Sequence, residues 1–521
     1  MTLDENINAV LDYHRATNHT VESVNASNDK LDFSNLPRLY KLYRRLGSLP
    51  LPLPDGKVTS TFPALGAISC NLTPSQTESI PNLEKIAMML KLSAGITKWL
   101  TVPGGRMAFR AASCTGAMYH VEMYVVCGDL PQLRAGVYQY GAHDNSLRQI
   151  RVGDFRGALI EATSGNRDVA NAPATIVYTS VFWRNAWKYK SRAYRHAFWD
   201  GGTILANTLA IASSLNVSAK VVTGFVDEYV NQVVDVDGLS EAALFLVPVG
   251  RVPLMAVDPA PAPERLKLQI LPYSPQEFDY PLIRSTHLAS SFTDTAGVEQ
   301  WRGRKMTFPV PDRKEGLTPL SASVIAQQPR EPINEVILHR GSTRRFKESP
   351  ISFEHLSTIL SMATMGVDAD YVKELGFSLN DIYLIVNAVT GLPSGSYVYH
   401  QRSQDLELLE EGNFRVEAGH LGLNQALAHD AAVNMYFMTD LKAIMRNLGP
   451  RGYRVAQLDA STTAGRLYLS AYALHLGATG LTFFDDEVTA FLSPHAAGKS
   501  VMFLLLLGVP YPRRTTGPAH D

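Results

Sequence analysis

Three arginines, a serine and a threonine crowd into residues 340–345 of the stretch HRGSTRRF. The apolar run Val336, Ile337, Leu338 precedes them and the turn-like pair Ser349-Pro350 follows. Arginine presents paired N–H donors in a planar fork that matches phosphate oxygens, and a hydroxyl adds a neutral donor. The cluster is a candidate anion site, against the plainer reading of a solvated basic turn. A helix start before ISFEHLSTIL would add backbone N–H groups and a helix dipole. A second stretch, RAASCTG from Arg110 to Gly116, is a small-residue loop with two hydroxyl donors, Ser113 and Thr115. A third, WKYKSRAYR, sets Lys188 beside Tyr189, with Lys190, Arg192 and Arg195 close behind. Lysine serves as a base near neutrality when burial or neighbouring cations lower its pKa from about 10.4. The alternative is a basic helix start with its aromatics turned inward. His196 and His120 are the next residues able to move a proton, or else structural or substrate contacts.

Composition narrows the partners. A chain of 521 residues exceeds what one core serves, so two domains of roughly 200–250 residues are expected. Apolar residues make up 45% and charged residues 19%, the balance of a soluble globular protein. A net charge of -1 gives no electrostatic footprint for nucleic acid or an anionic membrane surface. Cys70, Cys114 and Cys127 are odd in number and widely spaced, which argues against disulfides or zinc and for buried or incidental thiols. His14 and His19 are too weak a pair to imply a metal. The polar N-terminal stretch lacks the apolar core of a signal peptide, and VMFLLLLGVP has about half the length of a membrane span. A cytoplasmic location is the expectation.

The elements that must position these residues come in duplicate. LRAGVYQYGAHDNSLRQIRVGDFRG and LPSGSYVYHQRSQDLELLEEGNFRV match at an offset of 259. The offset persists through Tyr194/Tyr453, Arg195/Arg454 and Asp200/Asp459 to GFVDE and FFDDE, aligned as Phe225/Phe484, Asp227/Asp486 and Glu228/Glu487. Each copy reads as α+β. VEMYVVCGDL and NDIYLIVNAV alternate as strands do. RAYRHAFWDGGTILANTLAIASSLN and RGYRVAQLDASTTAGRLYLSAYALHLG carry the three- and four-residue spacing of a long buried helix, with Gly477 as a stop. The expected architecture is two copies, residues 1–255 and 331–521, each an antiparallel-rich sheet flanked by helices. A Pro-rich extended connector over 256–330 joins them. Such a tandem imitates a homodimer with an obligate interface, whether the chain itself is monomeric or dimeric.

Function is expected where the copies differ. From Gly95 to Tyr124 is 29 positions, and from Gly366 to Tyr383 is 17, so the second copy lacks the RAASCTG loop. RGSTRRF has no counterpart in KLYRRLGSLPLPLP. Lys188 and Tyr189 correspond to Asn447 and Leu448, while Gly477-Ala-Thr-Gly480 corresponds to Asn216-Val-Ser-Ala219. Gly477 and Gly480 would let a ligand approach the backbone closely. Each copy keeps a different half of the chemistry, which implies one composite site at the interface.

These motifs resemble a known family. Arg340, Ser342 and Arg344 match the RxSxRxF opening of nitroreductase-fold flavoproteins, in which these residues bind the FMN phosphate. RAASCTG with GAMYHVEMY is similar to the R-x-x-P-S-x-G block of SagB/ThcOx-type dehydrogenases, the branch that includes azoline oxidases. Ala112 and His120 stand where that pattern has proline. YHRATNHT, WKYKSRAYRHAFWDGG and GFVDEYVNQVV also resemble this branch. The resemblance implies a tandem nitroreductase-like fold holding one FMN between the copies. It implies cofactor contacts from Arg110, Ser113, Thr115, Gly116, Arg340, Ser342, Arg344, Gly477 and Gly480, and a catalytic pair in Lys188 and Tyr189. The implied activity is FMN-dependent oxidation of a peptide- or amino-acid-derived small molecule, with azoline to azole as precedent and oxygen as reoxidant. An NAD(P)H-dependent nitro or quinone reductase and a non-catalytic scaffold of a modifying complex are the alternatives.

Overall fold

The computed structural model describes the chain except residues 1, 27–29, 53–63, 70–78, 103–104, 253–256, 305–315, 322–330, 373–377 and 513–521. Cys70 lies outside the described residues. Runs rich in Val, Ile and Tyr suit a pleated, half-buried surface, and they assemble two antiparallel sheets. In the first, Val121–Cys127 lies between Gly136–Gly141 and Ala174–Val181, with Glu241–Val249 beyond. In the second, Asp381–Val386 lies between Gly395–His400 and Val433–Thr439, with Ser500–Pro510 beyond. Register repeats as well as order: Tyr124 faces Val177 as Tyr383 faces Tyr436. The α+β tandem expected from the sequence is the fold observed.

Two long helices, Ala193–Ser214 and Arg451–Ala473, run between the sheets. Both are buried almost throughout, with Leu209 and Tyr472 partly open, as expected of helices without a solvent face. They pack directly on one another. Ser461 Oγ donates to the Phe198 carbonyl at 2.9 Å, and Trp199 Nε1 donates to Gln457 Oε1 at 2.5 Å. Gly202 and Gly465 stand where a Cβ would meet Ser461 and Ala206, so the helix backbones approach closely. The second helix ends at Ala473, and His475, not Gly477, adopts the left-handed backbone, with φ of 57°. Gly477 instead opens the strand Gly477–Leu481, antiparallel to Ser500–Pro510.

The connector is not extended throughout. It holds two helices, Pro281–Ala289 and Thr295–Arg302. The first occupies the place of the N-terminal helix Leu3–Ala16 in the other copy. Arg195 bonds the His14 carbonyl, and its Nε donates to Thr17 Oγ1 at 3.0 Å. Arg454 bonds the His287 carbonyl, and its Nε donates to Ser290 Oγ at 2.8 Å. THLASSFT therefore repeats YHRATNHT, a relation hidden because its offset differs from 259. The aspartates also realign: Asp485, not Asp486, pairs with Arg192 and Arg195 as Asp227 pairs with Arg451 and Arg454. One extra residue in the first copy shifts that register. Among the described residues no helix is long and apolar enough to cross a membrane.

Candidate active site

A cavity of about 600 Å³ lies between the copies. The first copy lends the loop Ser113 to Ala117, Lys188 and Tyr189, and His196, Trp199, Asp200 and Thr203 from its long helix. The second lends Ser342, Arg344, Tyr468, Phe503 and the strand at Thr479 to Leu481. Met107 and Phe109 reach in from the hairpin Ile96–Val102/Gly105–Arg110, an insertion that the second copy lacks.

Asp200 fixes the loop. Its Oδ1 accepts from the Thr115 amide at 2.9 Å and the Thr115 hydroxyl at 2.8 Å. Its Oδ2 faces His120 Nε2 at 2.8 Å and accepts from Cys114 Sγ at 3.0 Å. Thr203 Oγ1 donates to the Ser113 carbonyl at 2.9 Å. Burial and then the Asp200 charge push the Cys114 thiol well up, so it remains protonated. Gly116 has φ of 64°, and Ala117 and Tyr119 share the left-handed region at 55° and 45°. Glycine adopts that region freely, whereas Ala117 and Tyr119 store strain that the Asp200 bonds must hold. A Cβ on Gly116 would stand 2.6 Å from the Tyr189 hydroxyl, so this glycine is needed for both its backbone and its space.

Lys188 and Tyr189 end the helix Phe182–Tyr189 on the cavity wall. Tyr189 is largely enclosed. Burial, then Asp200 and Cys114, push its phenol well up against the opposing pull of Arg344. Lys188 is exposed, with Nζ 5.3 Å from the Tyr189 ring. Of the cations expected to act on it, Arg192 and Arg195 are buried against Asp485 at 3.0 and 2.6 Å, and Lys190 is exposed. His196 joins the wall, while His120 bridges Ser180 and Asp200 and is structural.

Ser113, Thr115, Gly116, Lys188, Tyr189, Ser342, Arg344 and Gly480 thus meet in one cavity. Three expected contacts do not line it. Arg110 lies between the Tyr40 and Tyr119 rings and donates to the Leu39 carbonyl at 2.7 Å. Arg340 Nε donates to the Ala111 carbonyl at 2.9 Å, tying the arginine cluster to the other copy's loop. Gly477 packs on Thr343, whose Oγ1 blocks any Cβ there. The expected helix dipole is also absent from the wall: Phe353–Ala363 is capped by its own Ser352 and contributes no lining residue. Thr115 gives its hydroxyl proton to Asp200, so it offers a ligand lone pairs rather than a donor. Asp200, Trp199, Tyr468 and His19 were missed. The available signal was Asp200 itself, a carboxylate repeated at Asp459 in the middle of a long helix whose apolar spacing already read as buried.

The cavity fits a group that joins a phosphate to a flat ring. Ser342 and Arg344 supply a hydroxyl and a guanidinium. Trp199, Phe503, Met107 and Phe109 supply apolar faces, and Gly480 leaves a bare stretch of wall, with Phe503 3.1 Å from where its Cβ would stand. The mirror-related region is filled by protein. Strand register makes Val221, not the expected Ala219, the counterpart of Gly480, because Val222 pairs with Leu246 as Leu481 pairs with Leu504. Val221 exchanges backbone bonds with Asp368 and Asp370 at 3.0 Å. The Asp370 carboxylate takes the Thr223 and Gly224 amides at 2.9 and 2.7 Å. Trp301 covers Gly224 and donates to the Leu448 carbonyl at 2.8 Å.

The duplicated fold agrees with a family model, "Nitroreductase family", which matches residues 83–251 and 337–508. The chain belongs to the nitroreductase family. It is a flavin oxidoreductase with two such domains, and members of the family generally use FMN. A nitroreductase-like protein of Anabaena variabilis superposes with a TM-score of 0.76 at 25% identity, covering 96% of this chain and 99% of that one. The nitroreductase-like protein MJ1384 of Methanocaldococcus jannaschii is 27% identical over 143 residues, 27% of this chain and 71% of that protein. The microcin B17-processing protein McbC of Escherichia coli is 24% identical over 136 residues, 25% of this chain and 50% of its own length.

Proposed function

We propose that the chain holds one FMN in the cavity between its copies and oxidises a peptide- or amino-acid-derived substrate, in the manner of azoline to azole. The observation that carries this is the composite wall: the Ser113–Gly116 loop and Lys188–Tyr189 of one copy face Ser342, Arg344 and Gly480 of the other. The similarity to a microcin-processing protein supports a peptide-derived substrate and peptide-modifying partners. Ser342 and Arg344 would hold the phosphate, and Gly480 would lie along the ring. The bound flavin supplies a two-electron acceptor that molecular oxygen can regenerate. Tyr189, kept protonated by burial, is a hydrogen-bond donor to the substrate. Lys188 completes the pair at the cavity mouth. Cytoplasmic residence and a pseudo-dimer acting alone or as a homodimer belong to this reading.

The test is the visible spectrum of purified protein followed by anaerobic mixing. One flavin per chain, reduced by a thiazoline-4-carboxamide peptide but not by NADPH, is the expected result. Reduction by NADPH alone makes the protein a nitro or quinone reductase. Absence of flavin favours a scaffold, and two flavins per chain overturn the composite site.

A further inference from the structure

His196 is one of two histidines lining the cavity, with His19, and its two ring nitrogens are used differently from one another. Its side chain is 2% exposed, and Nδ1 lies 2.7 Å from Asn185 Oδ1. That amide is itself oriented, because Asn185 Nδ2 donates to the Thr115 carbonyl at 3.3 Å. Oδ1 is therefore the end facing the imidazole, and an amide oxygen only accepts, so Nδ1 carries the ring proton. Nε2 then bears a lone pair. It makes no hydrogen bond among the described residues, although the residue lines the cavity. Tyr189 packs edge-on at 4.7 Å and Trp199 lies tilted at 4.9 Å, which fixes the ring plane. The wall thus holds hydrogen-bond donors in Lys188, Tyr189, Ser342 and Arg344, and two imidazoles. Among the described residues no side-chain hydrogen bond or ring contact orients His19, whereas the His196 ring is fixed with Nε2 unengaged.

We propose that His196 Nε2 is the proton acceptor of the reaction, and so a catalytic residue. In the dehydrogenation above, on which this rests, the carbon next to the substrate's activating carbonyl loses a proton to Nε2. The neighbouring ring carbon loses hydride, an electron pair with a proton, to the oxidised flavin, and a double bond forms between the two carbons. The charged and titratable groups around the ring are Tyr189, Arg192, Arg195, His120 and His19; the phenol is neutral, and the two arginines are balanced by Asp485. Burial, followed by Arg192 and the two histidines, holds the imidazole well below its ordinary range. The base form therefore persists through neutral and mildly acid pH, at the expense of intrinsic basicity. Lys188, exposed at the mouth, is left to bind or to relay.

The experiment uses the full chain with a thiazoline-4-carboxamide peptide as probe. His196→Asn keeps a donor at the Nδ1 position and deletes Nε2. Expected is unchanged flavin content, a fall in anaerobic flavin reduction of about 100-fold or more, and loss of deuterium exchange at the probe's Cα in D2O. Lys188→Ala should retain that exchange. Full exchange and reduction in His196→Asn, with loss in Lys188→Ala, overturns the assignment. Neither process in the wild type overturns the azoline reading instead. Independently of any substrate, 15N spectra of histidine-labelled protein at pH 7 should show the His196 Nε2 unprotonated. A proton found on Nε2 overturns the proposal whatever the substrate proves to be.

Discussion

Arg195 of the first copy and Asp485 of the second form a buried ion pair at 2.6 Å, and Arg454 and Asp227 repeat it at the same distance in the reverse direction. Each aspartate also takes a second arginine, Arg192 or Arg451. The copies are therefore clasped twice through charges that have no water to fall back on. Removing one partner leaves an uncompensated buried charge, which costs about 3–5 kcal/mol. Asp485→Ala and Asp227→Ala should each lower the urea midpoint accordingly, and a loss of unfolding free energy below about 1 kcal/mol in both would show that packing alone joins the copies.

The same clasp makes stability pH-dependent. Burial pushes the Asp485 carboxyl up, but Arg192 and Arg195 outweigh it and hold it at about 2. A carboxylate whose folded pKa lies below its unfolded value of about 3.9 stabilises fully above that value and loses the contribution as pH falls toward 2. Denaturant midpoints should thus drop between pH 5 and pH 2.5. In Asp485→Asn the drop should be smaller, and identical slopes in the two proteins would sink this account.

Asp200 and Asp459 occupy equivalent places on the two long helices, yet they hold different things. Asp200 secures the Thr115 amide and Cys114 at the cavity, and Asp459 secures the Leu379 amide and Ser378 away from it. Asp200→Ala should release the loop, cost about 1–3 kcal/mol and strip the flavin. Asp459→Ala should carry a similar stability cost with flavin retained. Equal flavin loss in both variants, read by absorbance, would contradict a single site.

Much of this was legible in the sequence because the chain repeats. The offset of 259 is preserved from Tyr124/Tyr383 in the strands to Asp200/Asp459 in the helices, and its asymmetries marked the serine loop, Lys188–Tyr189 and RGSTRRF. What was hidden depended on long-range packing. The helix Pro281–Ala289 reads locally as part of a Pro-rich linker, and its role appears only where Arg454 meets the His287 carbonyl. Arg110 and Arg340 have the right residue type for a phosphate, but tertiary contacts with Leu39 and Ala111 turn them elsewhere. His196 gave no spacing signal, since its significance lies in Asn185 folding beside it.

Arg344 and Arg340 separate direct from indirect effects on the cofactor. Arg344 lines the cavity, while Arg340 reaches the loop backbone at Ala111. Arg344→Ala should weaken FMN binding about 10-fold or more through a lost charge-assisted contact, with unfolding unchanged. Arg340→Ala should lower both thermal stability and flavin content, and Arg340→Ala with Arg344→Ala should empty the site while leaving the fold. A yellow double variant would place the phosphate elsewhere.

Trp301 tests whether the second site is closed by one side chain or by the whole second copy. The indole is 4% exposed, donates to the Leu448 carbonyl and fills the space over Gly224. Trp301→Ala should cost about 3–5 kcal/mol through the cavity it leaves. The backbone bonds of Val221 to Asp368 and Asp370, and the Asp370 carboxylate on Thr223 and Gly224, would still occupy the ground that Gly480 leaves open in the first site. Leu448 also stands where the working site has Tyr189. The flavin-to-protein ratio of Trp301→Ala should therefore equal that of the wild type even as its melting temperature falls. A ratio that doubles would mean that the mirror site is merely plugged and that its binding chemistry survives.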